Sequence, residues 1–281
     1  MVKKRHAAIR VIAFDPARGS APGVDCVGLR ELIARERGKD LSRLRGLSRP
    51  TFHHLMLVTA GRGSHMVDFA RHRLTAGSVL SVAPGQVQQF GLEDSLDAQL
   101  VVFEPDFLAR APRLWTGARR IHSQRAGTVA ALFAATAREH KEGIKSDLTL
   151  LRSLVETLVV ALSDRATLQP SADASLVARF EAALETTFHR AHEVVAYAAL
   201  LDCSPRTLAR ACERARGASA KQLIDERVLL EARRLLAHGS ESAAVISAQL
   251  GFAEPTQFGK FFKRTAGQTP AAFRARFVRL T

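Results

Sequence analysis

No apolar run in this 281-residue chain approaches the length needed to cross a bilayer. The N-terminal MVKKRHAAIRVIAF is basic but carries no long apolar segment, so no secretory signal is expected. Cysteine is scarce. Cys26, Cys203 and Cys212 are odd in number, widely spaced and form no CxxC, which points to reduced thiols and a cytoplasmic location. There is no Gly-rich phosphate loop, no nucleophile elbow and no paired-carboxylate constellation, so the common signatures of catalysis are missing. Acidic residues also run out: none follows Glu254.

What is present is positive charge on a chain that can fold. The formal net charge is +14, and the hydrophobic content of 47% is enough for a real core. That balance suggests nucleic acid or another anionic surface as a partner. The polar run SDRATLQPSADAS, from Ser163 to Ser175, interrupts the apolar periodicity and is the best domain boundary. Before it, residues 51–105 alternate as short strands, with Gly61, Gly63, Gly77, Pro84 and Gly85 as turns, which suggests a small sandwich or barrel. Residues 125–162 read as helix, and everything after the boundary reads as helix. Residues 1–49 hold 12 Lys and Arg against 5 acids and read as a basic, partly ordered leader with one helix, GLRELIARERG; a DNA-touching arm is the sharper alternative. The expected divisions are therefore 1–49, 50–165, a linker at 166–175, and 176–281.

The C-terminal part repeats itself at an offset of 50 residues. Ser204-Pro205 falls on Glu254-Pro255, Leu208 on Phe258, Ala211 on Phe261, Cys212 on Phe262, Arg210 on Lys260, Arg214 on Arg264 and Gly217 on Gly267. Upstream, the same offset places Val195, Ala198 and Leu200 on Val245, Ala248 and Leu250. Each copy reads as a short helix, a tight turn, and a second helix opened by Pro and closed by Gly. That is a helix-turn-helix pattern. In each second helix the apolar residues share one face and the basic residues lie opposite. Polar side chains near the N-terminal ends are placed where a recognition helix reads bases. Arg206, Thr207, Arg210, Thr256, Gln257 and Lys260 are the expected base readers. Arg214, Lys263, Arg264 and Arg274 are the expected phosphate contacts. Between the copies, SAKQLIDERVLLEARRLLAHG runs from Ser219 to Gly239 without interior Gly or Pro. Such a helix of roughly 30 Å nearly matches one turn of DNA, so it could set two helices in successive major grooves.

These residues resemble a known family. From about Phe180 to Val278 the chain is similar to the AraC/XylS DNA-binding domain. The resemblance rests on SPRTLARACERARGASAKQLIDERVLLEARRLL and on ISAQLGFAEPTQFGKFFKRTAGQTPAAFR. Lys260 and Phe273-Arg274 stand where the family has its usual basic residue and closing aromatic-Arg pair. Gly259 replaces a common Ser. The N-terminal half looks like the family's cupin-like effector domain through FHHLMLVTAGRGSHMVDF, GSVLSVAPGQVQQF and LVVFEPDFL, with Gln88 where His is frequent. The resemblance implies two domains: a β-rich cupin-like barrel followed by helices, and an all-α domain with two helix-turn-helix units joined by a long helix. It also implies an operator in double-stranded DNA, a small-molecule effector, RNA polymerase as a partner, a homodimer, and activation rather than repression.

Leu55, Leu57, Val67, Phe69, Leu80 and Val82 could line an effector pocket or simply pack. The competing enzyme reading is a metal-dependent cupin using His53, His54, His65 or His72. Adjacent His53 and His54 must face opposite sides of a strand, and Gln88 is a poor ligand, so no metal and no cofactor are expected. An architectural DNA-binding protein without a ligand is a third reading, but it would leave the barrel unexplained.

Overall fold

The computed structural model describes residues 9–16, 20–37, 46–91, 95–108, 117–120, 123–163, 172–238 and 241–278. They fall into two compact units, one ending at Ser163 and one beginning after it.

The first unit has two five-stranded sheets. One has the order β1 (Arg10–Ile12), β3 (Ser48–Pro50), β8 (Gln88–Phe90), β5 (Arg62–Val67), β6 (Ala70–Thr75). The other has the order β10 (Gly117–Arg120), β7 (Ser78–Val82), β4 (His53–Ala60), β9 (Asp97–Phe103), β2 (Val24–Gly28). Alternation along β4 sends Met56 and Val58 between the sheets and Leu55 and Leu57 to the outer side. The space between the sheets is filled by Val27, Leu29, Val67, Leu74, Leu80, Val82, Phe90 and Leu100 among others. Outside, Leu55, Leu57, Val79, Val101 and Phe103 pack on Val129 and Phe133 of α2 (Ser123–His140) and on Leu151, Val155 and Leu158 of α3 (Leu148–Leu162). β4 and β7 are thus buried on both faces, which is why their sequences run apolar almost without a break.

Several expectations need correction. The segment read as a leader supplies β1, β2, α1 (Leu29–Arg37) and β3 to this unit. Its strands are only three to five residues long, too short for period-two alternation to stand out. Gly63 is not a turn; it sits within β5 opposite Leu74. The helical stretch at 125–162 is two helices, split where Asp147 Oδ1 accepts from the Thr149 and Leu150 amides and caps α3. A helix, α4 (Ala172–Thr187), starts inside the stretch expected as linker, and residues 164–171 lie outside the described residues.

The second unit continues with α5 (Val194–Leu200), α6 (Pro205–Arg216), α7 (Ala220–His238), α8 (Ala243–Gln249), α9 (Pro255–Ala266) and α10 (Pro270–Val278). α6 and α9 follow the 50-residue offset. α5 and α8 do not: they correspond at 49. Tyr197 and Ala198 match Ile246 and Ser247, all buried, and Leu201 matches Leu250. The left-handed turn residues Asp202 and Gly251 keep the same offset. The expected pairing of Ala198 with Ala248 is therefore wrong, since Ala248 is exposed. The second turn carries the extra residue.

α7 starts with a reciprocal cap. The Gln222 amide donates to Ser219 Oγ, and the Ser219 amide donates to Gln222 Oε1. Gly239, read as its C-cap, lies outside the described residues. The helix packs against α4, α5, α6, α8, α9 and α10, so it is the centre of this unit rather than a bare rod.

The buried histidines of the first unit make its stability acid-sensitive. Burial lowers His54 and His53 to about 4 and His65 to about 3, from 6.5. Their folded pKa values are depressed, so the unfolded chain binds more protons below pH 6.5. Their contribution is complete above pH 6.5 and is lost as pH falls towards 4. A His54→Leu variant should lose less Tm between pH 7 and 5 than the parent. An equal loss would show that His54 does not titrate on unfolding.

Candidate nucleic-acid interface

Two helices present the same amphipathic design. On α6, Leu208, Ala211 and Cys212 are buried while Arg206, Arg210 and Arg214 are exposed. On α9, Phe258, Phe261 and Phe262 are buried while Thr256, Gln257, Lys260, Lys263 and Arg264 are exposed. Pro opens each helix, and Gly217 and Gly267 close them. Under α9 lies a chain of rings: Phe252 is 5.6 Å from Phe258 and 5.1 Å from Phe261, and Phe262 is 5.6 Å from Phe273. These rings hold the helix rigid and leave its basic face to solvent.

The expected contact residues are not equivalent. Arg206, Arg210, Lys260 and Lys263 form no ion pair among the described residues. Thr207 is half-buried, and its backbone amide donates to the N-cap Ser204 Oγ while the two hydroxyls lie 2.8 Å apart. That ties it to the helix start. Arg214 and Arg264, equivalent in the repeat, each meet an aspartate from an earlier helix: Asp173 at 3.2 Å and Asp225 at 3.3 Å. Both arginines are highly exposed, so these pairs are weak and can be exchanged for phosphate. Arg274 differs. It donates to the Leu236 and Glu241 carbonyls at 3.4 and 2.6 Å, so it ties α10 to the end of α7. The sequence gave no sign of that capping role, because nothing local marks which carbonyls a distant Arg will reach.

A second missed feature is a clasp between the two helix-turn-helix units. Gly251, in the second turn, has φ +76°, and a Cβ there would run into the His189 carbonyl oxygen. The next residue, Phe252, stacks against His192 at 4.6 Å. Burial lowers the His192 pKa, keeping the ring neutral against phenylalanine. Lys221 Nζ donates to the His192 carbonyl at 2.7 Å and pairs with Asp225 at 3.3 Å, and Asp225 also takes Arg264. The entry to α5 is thereby bonded to α7 and α9.

The thiols are chemically quiet. Burial pushes Cys212 up to about 11 and Cys26 up to about 12. Among the described residues no cluster of His, Cys, Asp and Glu is placed to hold a metal, and no helix is long and apolar enough to cross a membrane. His53 stacks on Phe103 at 4.9 Å on the outer side of β4, whereas His54 and His65 meet between the sheets. Of the six apolar pocket candidates, Val67, Leu80 and Val82 face the space between the sheets. Leu55 and Leu57 pack outward against the helices, and Phe69 sits in the tight β5–β6 turn with φ +69°.

Comparison with known proteins agrees with both units. Residues 197–276 match the family described as "Helix-turn-helix domain", and residues 38–156 match "AraC-like ligand binding domain". The chain belongs to the AraC/XylS family. Members of this family are DNA-binding regulators rather than enzymes, and the chain carries both the DNA-binding and the effector-binding domain. It is 22% identical over 244 residues to "HTH-type transcriptional activator RhaR" of Mannheimia succiniciproducens, covering 83% of this chain and 88% of that protein. It is 25% identical over 241 residues to "HTH-type transcriptional activator RhaS" of Escherichia fergusonii, covering 79% and 85%. The crystal structure of ToxT from Vibrio cholerae O395 aligns with 79% of this chain and 88% of its own at 12% identity, with a TM-score of 0.41.

Removing the N–H and carbonyl of Gln257 should cost about 1–3 kcal/mol on a cognate site and little on random DNA. The variants to compare by titration are Gln257→Ala, Arg210→Ala and Lys263→Ala. Lys263→Ala should weaken all sequences alike and lower the salt slope by about one. Equal losses on both DNAs for Gln257→Ala would remove it from the readers. Gly251→Ala should part the clasp and reduce affinity for a two-groove site more than for either half-site alone. Unchanged affinity in a folded variant would show that the clasp does not position the helices.

Proposed function

We propose that this regulator is an effector-responsive activator of transcription that acts in the cytoplasm. It binds its operator through α6 and α9 in successive major grooves. One observation supports the reading above others: a basic helix on an apolar bed occurs twice, at one offset, in one unit. Arg206, Arg210, Thr256, Gln257 and Lys260 read bases, with Thr207 supporting the first turn of α6. Lys263 meets phosphate directly. Arg214 and Arg264 do so after leaving Asp173 and Asp225, and Arg274 acts mainly by holding α10.

The family's helix-turn-helix and ligand-binding domains support the DNA and effector partners, and the two relatives' names support activation. RNA polymerase is the partner that activation requires. Homodimerisation fits the outer side of α3, where Leu150 and Val160 are 44% and 63% exposed. The polar run around Pro170 then separates effector and dimer functions from DNA binding.

The test is a division of labour. Residues 172–281 should fold, bind operator DNA and remain monomeric, while residues 1–165 should dimerise. A fragment 172–281 that is unfolded by circular dichroism, or is itself a tight dimer, contradicts this assignment. Operator binding and transcription in vitro by the full chain then decide the sign of regulation. A specificity ratio near one over competitor DNA would favour the architectural reading instead, and bound metal by elemental analysis would favour the cupin-enzyme reading.

A further inference from the structure

The interior of the barrel is apolar except at one place. His54 on β4, His65 on β5 and Gln88 on β8 lie between the sheets, on the same strand faces as Met56, Val67 and Phe90. All three are buried, with 1–3% of their surface exposed. Gln88 Oε1 lies 3.3 Å from His54 Nδ1 and 3.2 Å from His65 Nε2. Phe90 packs against both rings, at 5.6 and 4.6 Å. The other ring nitrogens, His54 Nε2 and His65 Nδ1, are buried with no hydrogen-bond partner.

Hydrogen-bond bookkeeping gives these two atoms a sign. Burial keeps both imidazoles neutral near pH 7, and a neutral imidazole has one N–H donor and one lone pair. Each ring spends its N–H on the same acceptor, Gln88 Oε1. His54 is therefore the Nδ1–H tautomer and His65 the Nε2–H tautomer. What remains on each is a buried lone pair without a donor, a costly state in a packed interior. No Lys or Arg is among the buried residues of this unit, so no cation there could balance an anion. A carboxylate or phosphate oxygen would meet two lone pairs and be repelled. The surrounding Met56, Val58, Leu80, Val82 and Phe90 suit carbon skeleton.

We propose that His54, His65 and Gln88 are the recognition end of an effector site inside the barrel, built for a neutral small molecule that donates hydrogen bonds from hydroxyl groups to both histidines. Gln88 is a positioning residue, since it sets the two tautomers. The inference rests on the effector-responsive reading and adds the chemical class of the ligand. A divalent metal could also use two imidazole lone pairs, but no third His, Cys, Asp or Glu joins them among the described residues.

The experiment uses the full chain with 15N-labelled histidine at pH 7. Long-range proton–nitrogen spectra should show His54 protonated at Nδ1 and His65 at Nε2. The probes are D-xylose, D-glucose, sorbitol and myo-inositol, with D-gluconate, D-glucuronate and zinc ion as contrasts. At least one neutral polyol should move both histidine signals and raise Tm, and the acids and zinc should do neither. His54→Leu and His65→Leu should each weaken that polyol by about tenfold. The opposite tautomers would mean that the Gln88 amide is reversed and the site offers donors. That result, binding of an acid or zinc at these rings, or no response to any polyol overturns the proposal, and the tautomer readout does not depend on whether a variant folds. Operator binding measured with the same probes separates the two levels. If an acid changes operator affinity without moving these signals, the effector reading stands and this site falls. If a polyol moves the signals but never changes operator affinity, the site stands and the effector reading falls.

Discussion

Two helices crowded with arginine and lysine repel one another, and the DNA-binding unit depends on holding them in place against that repulsion. The hold is apolar. Leu208, Ala211 and Cys212 under α6, and Phe258, Phe261 and Phe262 under α9, are all buried. Burial of that kind stabilises by roughly 1.5–3 kcal/mol per large side chain, more than exposed like charges cost at physiological salt. α7 then joins the two beds through Ile224, Val228, Ala232 and Leu236, each almost wholly buried. Charge is added locally and sparingly: Asp173 and Asp225 restrain Arg214 and Arg264 without neutralising the rest of either face.

The same contrast between a dry bed and a few placed polar groups runs through the barrel. β4 is buried on both sides, so it transmits contact from the space between the sheets to α2 and α3. On its inner side His54 shares an acceptor with His65, and on its outer side His53 stacks on Phe103. Adjacent residues of one strand therefore touch the proposed effector site and the helical layer that carries the exposed side of α3. A ligand that engages His54 would bear on both sides of that strand.

The sequence made the helical unit easy to read. Pro205, Pro255, Gly217 and Gly267 mark helix ends by local backbone chemistry, and the apolar faces of α6 and α9 follow from a 3.6-residue period. What it hid was non-local. The clasp of Gly251 on His189 pairs residues 62 apart with no shared pattern. The one-residue difference between the turns was masked because Val195, Ala198 and Leu200 also find matches in residue type at an offset of 50. In the barrel, period-two alternation correctly separated His53 from His54, but it could not say which face is inner when both are buried. Leu55 and Leu57 were therefore grouped with Leu80 and Val82 although they face the helices. The short strands before residue 50 were lost under their basic charge. Arg274 was read as a phosphate contact, because a side chain that caps a distant carbonyl looks the same in sequence as one that meets solvent.

The central claim is that α6 and α9 act as one body whose spacing is fixed by α7 and the Gly251 clasp. The most direct measurement is affinity of the full chain for an operator in which five base pairs are inserted between the two groove contacts. Half a turn of DNA moves the second groove to the opposite side of the duplex. A single rigid body must then let go of one contact, so affinity should fall to that of one half-site and the footprint to one groove. Unchanged affinity with both grooves still protected would contradict the account, because the two helices would then be reading DNA independently.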